Sequence, residues 1–459
     1  MKNKQAKWIS PLTWLIRIII GGVFVFSGFS KAIDPWGTLY KVNDYLGVLS
    51  LSIWPNLVLV GVFGLCAIEF LTGIFLLLGC FRRSTAIVAA LIMAGMLPLS
   101  LWIAISDPVA DCGCFGDAFI ISNWATFWKN IVISIGIIWL IRYNRKPICL
   151  VTPALQWIAF VVSAFFILTI ELFGYISQPL IDFRPYKTGE SLIDMDNQYS
   201  DEPEYLFIYE KDGVREEFNM NDSLPDENDG WIFIDRKELK KSDSSENVSK
   251  EKDSRNLRIW SKDGEEDETE LAITEDGKEL LIMMPDLKEV SPATTWKLNS
   301  LYEWSLKNDI VMIAVVSGSP EEISTWEDLS MASYPIYTAD DTQIKEVVRG
   351  NPGVVYLENG KIQWKSTLTA INIDDFLLPE ATYDARNFSF DNRKILLNCT
   401  YLYLIIVGVL IVLSFTPKIQ YLFPHNKHDR GLRRNHPDSP DSSLSDSPET
   451  EKEDKETKE

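Results

Sequence analysis

Six long apolar runs constrain this chain before any other feature does. Leu12 to Ser30, Leu57 to Gly79, Thr85 to Ser106, Ala125 to Ile141, Ala154 to Ile176 and Ile395 to Phe415 are mostly uncharged, whereas the stretch between the fifth and sixth is polar. Runs of roughly 17–25 such residues span a bilayer as helices, because hydrocarbon offers backbone N–H and C=O groups no partner outside their own helix. The expected fold class is an α-helical polytopic membrane protein with a soluble α/β region between its last two spans. Orientation follows from lysine and arginine, which stay on the cytoplasmic side. Lys2, Lys4 and Lys7 precede the first run, Arg82 and Arg83 separate the second and third, and Arg142, Arg145 and Lys146 separate the fourth and fifth. Lys418, Lys427, Arg430, Arg433 and Arg434 follow the sixth. Both termini are then expected in the cytoplasm, with Lys31 to Asn56, Asp107 to Trp124 and Ser177 to Arg393 outside.

The first run carries Arg17 and lacks a small-residue cleavage site before Lys31, so it reads as a retained span and not a signal peptide. The formal net charge of -20 comes mainly from the external segment and the C-terminal tail. It describes solvated surface and gives no sign of a nucleic-acid partner. From Asn435 onward the tail lacks a hydrophobic core and is expected to be disordered. The basic stretch before it suits anionic lipid head groups of the bilayer.

Of six cysteines, Cys66 and Cys399 fall within spans, and Cys80 and Cys149 fall on the expected cytoplasmic side. Only Cys112 and Cys114, in Asp111-Cys112-Gly113-Cys114-Phe115-Gly116-Asp117, lie in an oxidising aqueous space. Three chemistries are open to such a pair. A disulfide closed over one residue is a strained ring of the exchangeable kind, it can instead be a static tie, or two thiolates can hold a soft cation. His425, His428 and His436 all sit in the tail, so no nearby imidazole completes a metal site. Asp111 and Asp117 disfavour a nearby thiolate, and Lys129 is placed to offset them.

A carboxylate within a span needs a partner. For Glu69 the expected partner is Arg17, in an ion pair that fixes the bundle, and nothing in the sequence connects Glu69 to the thiols. Gly21, Gly22, Gly28, Gly61, Gly64 and Gly73 are expected to permit close helix packing.

Several of these residues fall in segments similar to a known family. Arg17-Ile18-Ile19-Ile20-Gly21-Gly22-Val23-Phe24, Ser27-Gly28-Phe29-Ser30-Lys31, Ile68-Glu69-Phe70-Leu71-Thr72-Gly73, the Cys-Gly-Cys run and Phe127-Trp128-Lys129-Asn130 together resemble the DoxX/MauE group of bacterial four-helix membrane proteins over about residues 10–145. The resemblance implies a bacterial inner-membrane protein that supports disulfide formation and maturation of an extracytoplasmic enzyme, in methylamine utilisation for MauE. It also implies a client protein with thiols, Cys112 and Cys114 as the redox pair, and a quinone or another oxidoreductase as electron acceptor. No cofactor motif is evident. The expected units are a four-helix membrane domain over 1–150, a fifth span over 151–178, an external region over 179–393, a sixth span over 394–416 and a tail over 417–459.

In the external region, the charged Lys240 to Glu270 stretch reads as a loop or insertion. Beyond it the periodicity predicts strands at Glu279–Met284 and Ile310–Val316, helices at Ala293–Lys307, Glu321–Leu329 and Thr342–Val348, and a hairpin of Gly353–Leu357 with Lys361–Trp364 around Glu358-Asn359-Gly360. Over about residues 271–380 this order resembles a thioredoxin-like domain, in which Pro352 would be the cis-proline beside a partner-binding surface. The segment Pro285 to Thr294 carries no cysteine, so the resemblance implies client recruitment or scaffolding and not exchange within this domain.

Overall fold

The computed structural model describes residues 2–109, 112–143, 149–192, 205–211, 214–219, 232–238, 257–274, 276–377 and 392–415. Asp111, most of the Lys240 to Glu270 stretch and the tail lie outside these residues. Six described helices are long and apolar enough to cross a membrane: α1 (Lys2–Ile33, apolar from Pro11), α3 (Pro55–Leu78), α4 (Arg82–Ser106), α5 (Asn123–Tyr143), α6 (Gln156–Ile176) and α12 (Asn392–Phe415). Their outward faces expose Leu15, Val60, Leu91, Val132, Phe165 and Ile405, the apolar girdle that lipid covers. A helix absent from the sequence reading, α2 (Pro35–Val48), fills the connection after α1. Asp34 starts it by accepting from Gly37 N at 3.0 Å, and Pro35 suits the first helical position.

Antiparallel α1 and α3 form the centre of the bundle. A Cβ on Gly28 would fall 2.4 Å from Phe70 N, and one on Gly73 2.4 Å from Val25 N, so the two backbones touch where only glycine fits. Gly21 is also closed in by Leu77, whereas Gly22, Gly61 and Gly64 face open space. The packing expected of the six glycines is thus confined to three of them. One apolar cluster joins α1, α3, α6 and α12 through Ile33, Phe70, Phe166 and Tyr403, and another joins α1, α3, α4 and α5 through Phe24, Leu76, Met93 and Ile137.

Outside the bundle, β1 (Tyr205–Lys211), β2 (Val214–Asn219) and β3 (Ile232–Glu238) form an antiparallel sheet of order β2-β1-β3. The following domain contains α7 (Thr269–Ala272), β4 (Lys278–Met284), α8 (Thr295–Lys307), β5 (Val311–Val316), α9 (Pro320–Ser330), β6 (Ile336–Thr338), α10 (Asp341–Val347), β7 (Gly353–Glu358), β8 (Lys361–Thr367) and α11 (Asp374–Leu377). The sheet order is β6-β5-β4-β7-β8. Strands β4, β5 and β6 are parallel, while β7 runs antiparallel to both β4 and β8. Central β4 is buried on both faces, the reason it reads as the unbroken run Leu280 to Met284. Leu280, Ile282 and Met284 pack on α8 and α9, and Leu281 and Met283 pack with Ile344 and Val347. Leu257 and Ile259 join the second face. The end of the presumed Lys240 to Glu270 loop is therefore part of the core, and Trp260 pairs with Thr338 at the β6 edge.

The connector after α6 ties this domain to the bundle. Its backbone pairs with β8 through Gly189, Glu190 and Leu192, covering a strand edge. Asp182 accepts from Arg184 at 2.8 and 2.9 Å and from Lys365 at 2.5 Å. Burial acts to raise the Asp182 carboxyl, but Arg184 and Lys365 outweigh it and hold it at about 2 against an ordinary 3.8. A depressed carboxyl stabilises the fold above its unfolded value and loses that contribution as pH falls through the folded one. The contribution of Asp182 to attachment of the connector is thus expected to be lost, by about 2 kcal/mol, as pH falls from about 4 to about 2. Urea unfolding of the full chain in detergent across that range checks it, with Asp182→Asn flattening the acid limb.

Candidate functional site

The Cys-Gly-Cys loop joins α4 to α5. Gly113 and Gly116 both adopt left-handed backbone (φ 61° and 57°), which a glycine takes without steric cost, and Gly116 N closes a turn onto Gly113 O at 3.0 Å. Within that turn the sulfurs of Cys112 and Cys114 lie within bonding distance, with Cα atoms 5.5 Å apart. The two sulfurs differ in access. Cys112 is half-buried, whereas Cys114 is 8% exposed.

Groups from separate helices hold the loop. Ser27 Oγ on α1 donates to Cys114 O at 2.7 Å and lies 2.8 Å from Glu69 Oε2 on α3. Lys31 Nζ donates to Ser27 Oγ at 3.1 Å and to Glu69 Oε2 at 2.7 Å. Phe115 packs edge-on against Phe26, and Lys129 Nζ lies 4.1 Å above the Phe115 ring. Ser27, Glu69, Cys114, Lys129 and Asn130, with Phe24, Met93 and Met96, line a cavity of about 30 Å³. That is room for about one water-sized group beside the buried cysteine.

This arrangement corrects the pairing expected of Glu69. Its partner is Lys31, not Arg17. Given the α1/α3 contact at Gly28 and Phe70, Arg17 lies eleven residues along α1 from Gly28, about 16 Å at 1.5 Å per residue. Arg17 instead donates to Leu76 O at 2.9 Å and Leu77 O at 3.4 Å, at the C-terminal end of α3, where a cation meets the negative end of the helix dipole. The fold also supplies a link that the sequence does not show, since Ser27 joins the Glu69 carboxylate to the backbone carbonyl of Cys114.

Lys129 lies on the Cys114 side of the loop, whereas Asp117 is paired with other cations. Asp117 bonds Arg349 Nη2 at 2.6 Å and lies 3.7 Å from Lys41 Nζ. Asp111 lies outside the described residues. Pro352 follows a cis peptide bond, Asn351–Pro352, and its loop faces the bundle: Arg349 also bonds Asp34 Oδ2 at 2.8 Å. Burial opposes charge on Asp34, but Arg349 outweighs it and holds the carboxyl below its usual range. Arg349 is likewise kept charged against burial, by Asp34 first and then Asp117. Burial pushes the nearby Tyr40 hydroxyl up to about 12.

Sequence reasoning missed Ser27, Lys31, Asp34 and Arg349. Ser27 and Lys31 stood within a recognised segment, but only the α1/α3 register reveals what they touch. It also missed Glu171 on α6, which is fully buried beside the Cys66 thiol. At the far end of α3, Thr72, Phe75, Phe81, Thr85, Trp157 and Phe160 line a separate apolar groove of about 330 Å³.

Comparison with known proteins adds three findings. No curated protein matches the sequence. Residues 203–241, which include β1 to β3, match a domain of unknown function (DUF8463). Residues 9–143, which hold the apolar part of α1, α2 to α5 and the cysteine loop, match the family model of methylamine utilisation protein MauE, so the N-terminal part of this chain is similar to that family of membrane proteins.

Proposed function

We propose that this chain is a membrane-embedded thiol-disulfide exchange protein of the MauE type, acting on extracytoplasmic client thiols through Cys112 and Cys114. The observation that carries the reading is the unequal burial of two adjoining sulfurs in a pinned loop. A client thiolate attacks the accessible Cys112 sulfur, the Cys112–Cys114 bond breaks, and Cys114 leaves as a thiolate toward the cavity that holds Lys129. The second client thiolate then attacks the client sulfur of the mixed disulfide and releases Cys112. The client gains a disulfide, the pair gains two electrons, and the two client protons pass to the two cysteines. Reoxidation needs a two-electron acceptor, for which a membrane quinone or another oxidoreductase is the proposed class.

The strand order and the cis Asn351–Pro352 bond support a thioredoxin-like reading of the external domain. No cysteine lies between Cys149 and Cys399, so its proposed role is to recruit the client and not to exchange with it. By similarity to MauE the proposed setting is the bacterial inner membrane, with both termini cytoplasmic, and maturation of an enzyme related to methylamine utilisation.

Mass-shift alkylation of membranes equilibrated in graded thiol-disulfide buffers tests the reading. The pair is expected to convert between oxidised and reduced forms and to yield mixed disulfides with extracytoplasmic proteins. A pair that stays oxidised in mild reductant and never forms a mixed disulfide refutes exchange.

A further inference from the structure

We infer that the external domain completes the thiol site, with Arg349 as a positioning residue that fixes the Cys112–Cys114 loop; the inference rests on the exchange reading above. Arg349 lies between α10 and the cis bond before Pro352, and is 5% exposed. Its guanidinium is fully engaged. Nε donates to both oxygens of Asp34 at 3.1 and 2.9 Å, Nη2 to Asp34 at 2.8 Å and Asp117 at 2.6 Å, and Nη1 to Lys345 O. Gln178 grips the same residue by its backbone, donating to Arg349 O at 2.7 Å and accepting from Arg349 N at 3.0 Å. One cation therefore joins three segments far apart in sequence: the start of α2, the cysteine loop and the cis-proline loop.

Adhesion between two domains would need only the Asp34 contact. The Asp117 contact is different, because Asp117 stands three residues after Cys114 in a loop with two left-handed glycines. Ser27 anchors that loop at Cys114 O, Phe26 at Phe115, and Asn123 at the start of α5 ties its ends together through Asp107 and Val109 O; Arg349, with Lys41 behind it, holds the segment between them at Asp117. A guanidinium can reach both carboxylates in fixed geometry, whereas a lysine ammonium lacks the fork. The loop of the bundle and the face of the external domain are thereby set relative to each other, so that a client held by the domain meets a loop of defined orientation.

The test uses the full chain in membranes, reduced chemically and then treated with a maleimide, with the alkylation rate of Cys114 read by mass. Losing one charge-assisted hydrogen bond is expected to raise that rate roughly tenfold in Asp117→Asn, with Cys80 and Cys149 unchanged as internal references. Arg349→Lys is expected to act in the same direction, because an ammonium cannot hold Asp34 and Asp117 together as the guanidinium fork does. A second readout is the reduced fraction of the pair in a glutathione buffer, which shifts in Asp117→Asn if the loop is positioned and not merely covered. Asp117 is partly exposed and Asp34 still holds Arg349 in this variant, so it reads the loop without undocking the domain. Wild-type alkylation rates and an unshifted glutathione equilibrium in both Asp117→Asn and Arg349→Lys overturn the inference. Because the pair is reduced chemically, accelerated alkylation without any client mixed disulfide would refute exchange while upholding the positioning role.

Discussion

Cys114→Ser is expected to reduce client oxidation to background while accumulating a covalent complex through Cys112, and Cys112→Ser is expected to reduce it equally without trapping any client. The asymmetry comes from burial. Cys114 faces the cavity between Ser27, Glu69 and Lys129 and is 8% exposed, so a folded client reaches Cys112 first. With Cys114 gone, a Cys112 thiolate can attack a client disulfide and no neighbouring thiol resolves the product. With Cys112 gone, the remaining sulfur lies behind the loop. Non-reducing electrophoresis of membranes, followed by mass identification of the attached chain, separates the two variants. Equal trapping by both would show that access does not distinguish the sulfurs. Trapping by neither, with both proteins folded, would favour a static tie.

The spans were legible because hydrocarbon punishes any exception over about 20 residues, and the apolar spans begin and end within about three residues of the expected runs, although the first helix itself starts earlier, at Lys2. Strands β4, β5 and β7 were legible for a similar reason, since burial on both faces forces continuous apolar runs. Helix α2 was hidden because it is short and only partly apolar, and its start depends on Asp34, which itself answers to Arg349. The site was half legible. Cys112 and Cys114 are neighbours in sequence and need no fold to bring them together. Lys31 and Glu69 are separated by 38 residues, and Arg349 lies 315 and 232 residues from its two carboxylates. Charge patterning could identify each of these groups as needing a partner, but the choice between Arg17 and Lys31 was made by the glycine contact that sets the α1/α3 register.

That register carries the second large effect. Lys31 and Glu69 are about 4% exposed, and their bond of 2.7 Å joins α1 to α3 where Gly28 brings the backbones together. Removing one partner leaves a buried charge uncompensated, which costs about 3–5 kcal/mol. Glu69→Leu and Lys31→Met are each expected to show that loss, read as thermal unfolding of the purified chain in detergent. The double variant Lys31→Met with Glu69→Leu is expected to recover most of it, because apolar side chains of similar volume suit the same space without an unpaired ion. Stability and chemistry then separate. The double variant keeps Ser27 and its hydrogen bond to Cys114 O, so the loop stays anchored, but it removes the carboxylate and the ammonium that polarise the Ser27 hydroxyl. If those charges tune the thiols, the double variant is stable yet has an altered reduced fraction in a glutathione buffer. If the ion pair only fixes the bundle, stability and redox equilibrium return together. Single variants within about 0.5 kcal/mol of wild type would show that the pair contributes little to either, and would remove Lys31–Glu69 from the account of both the bundle and the site.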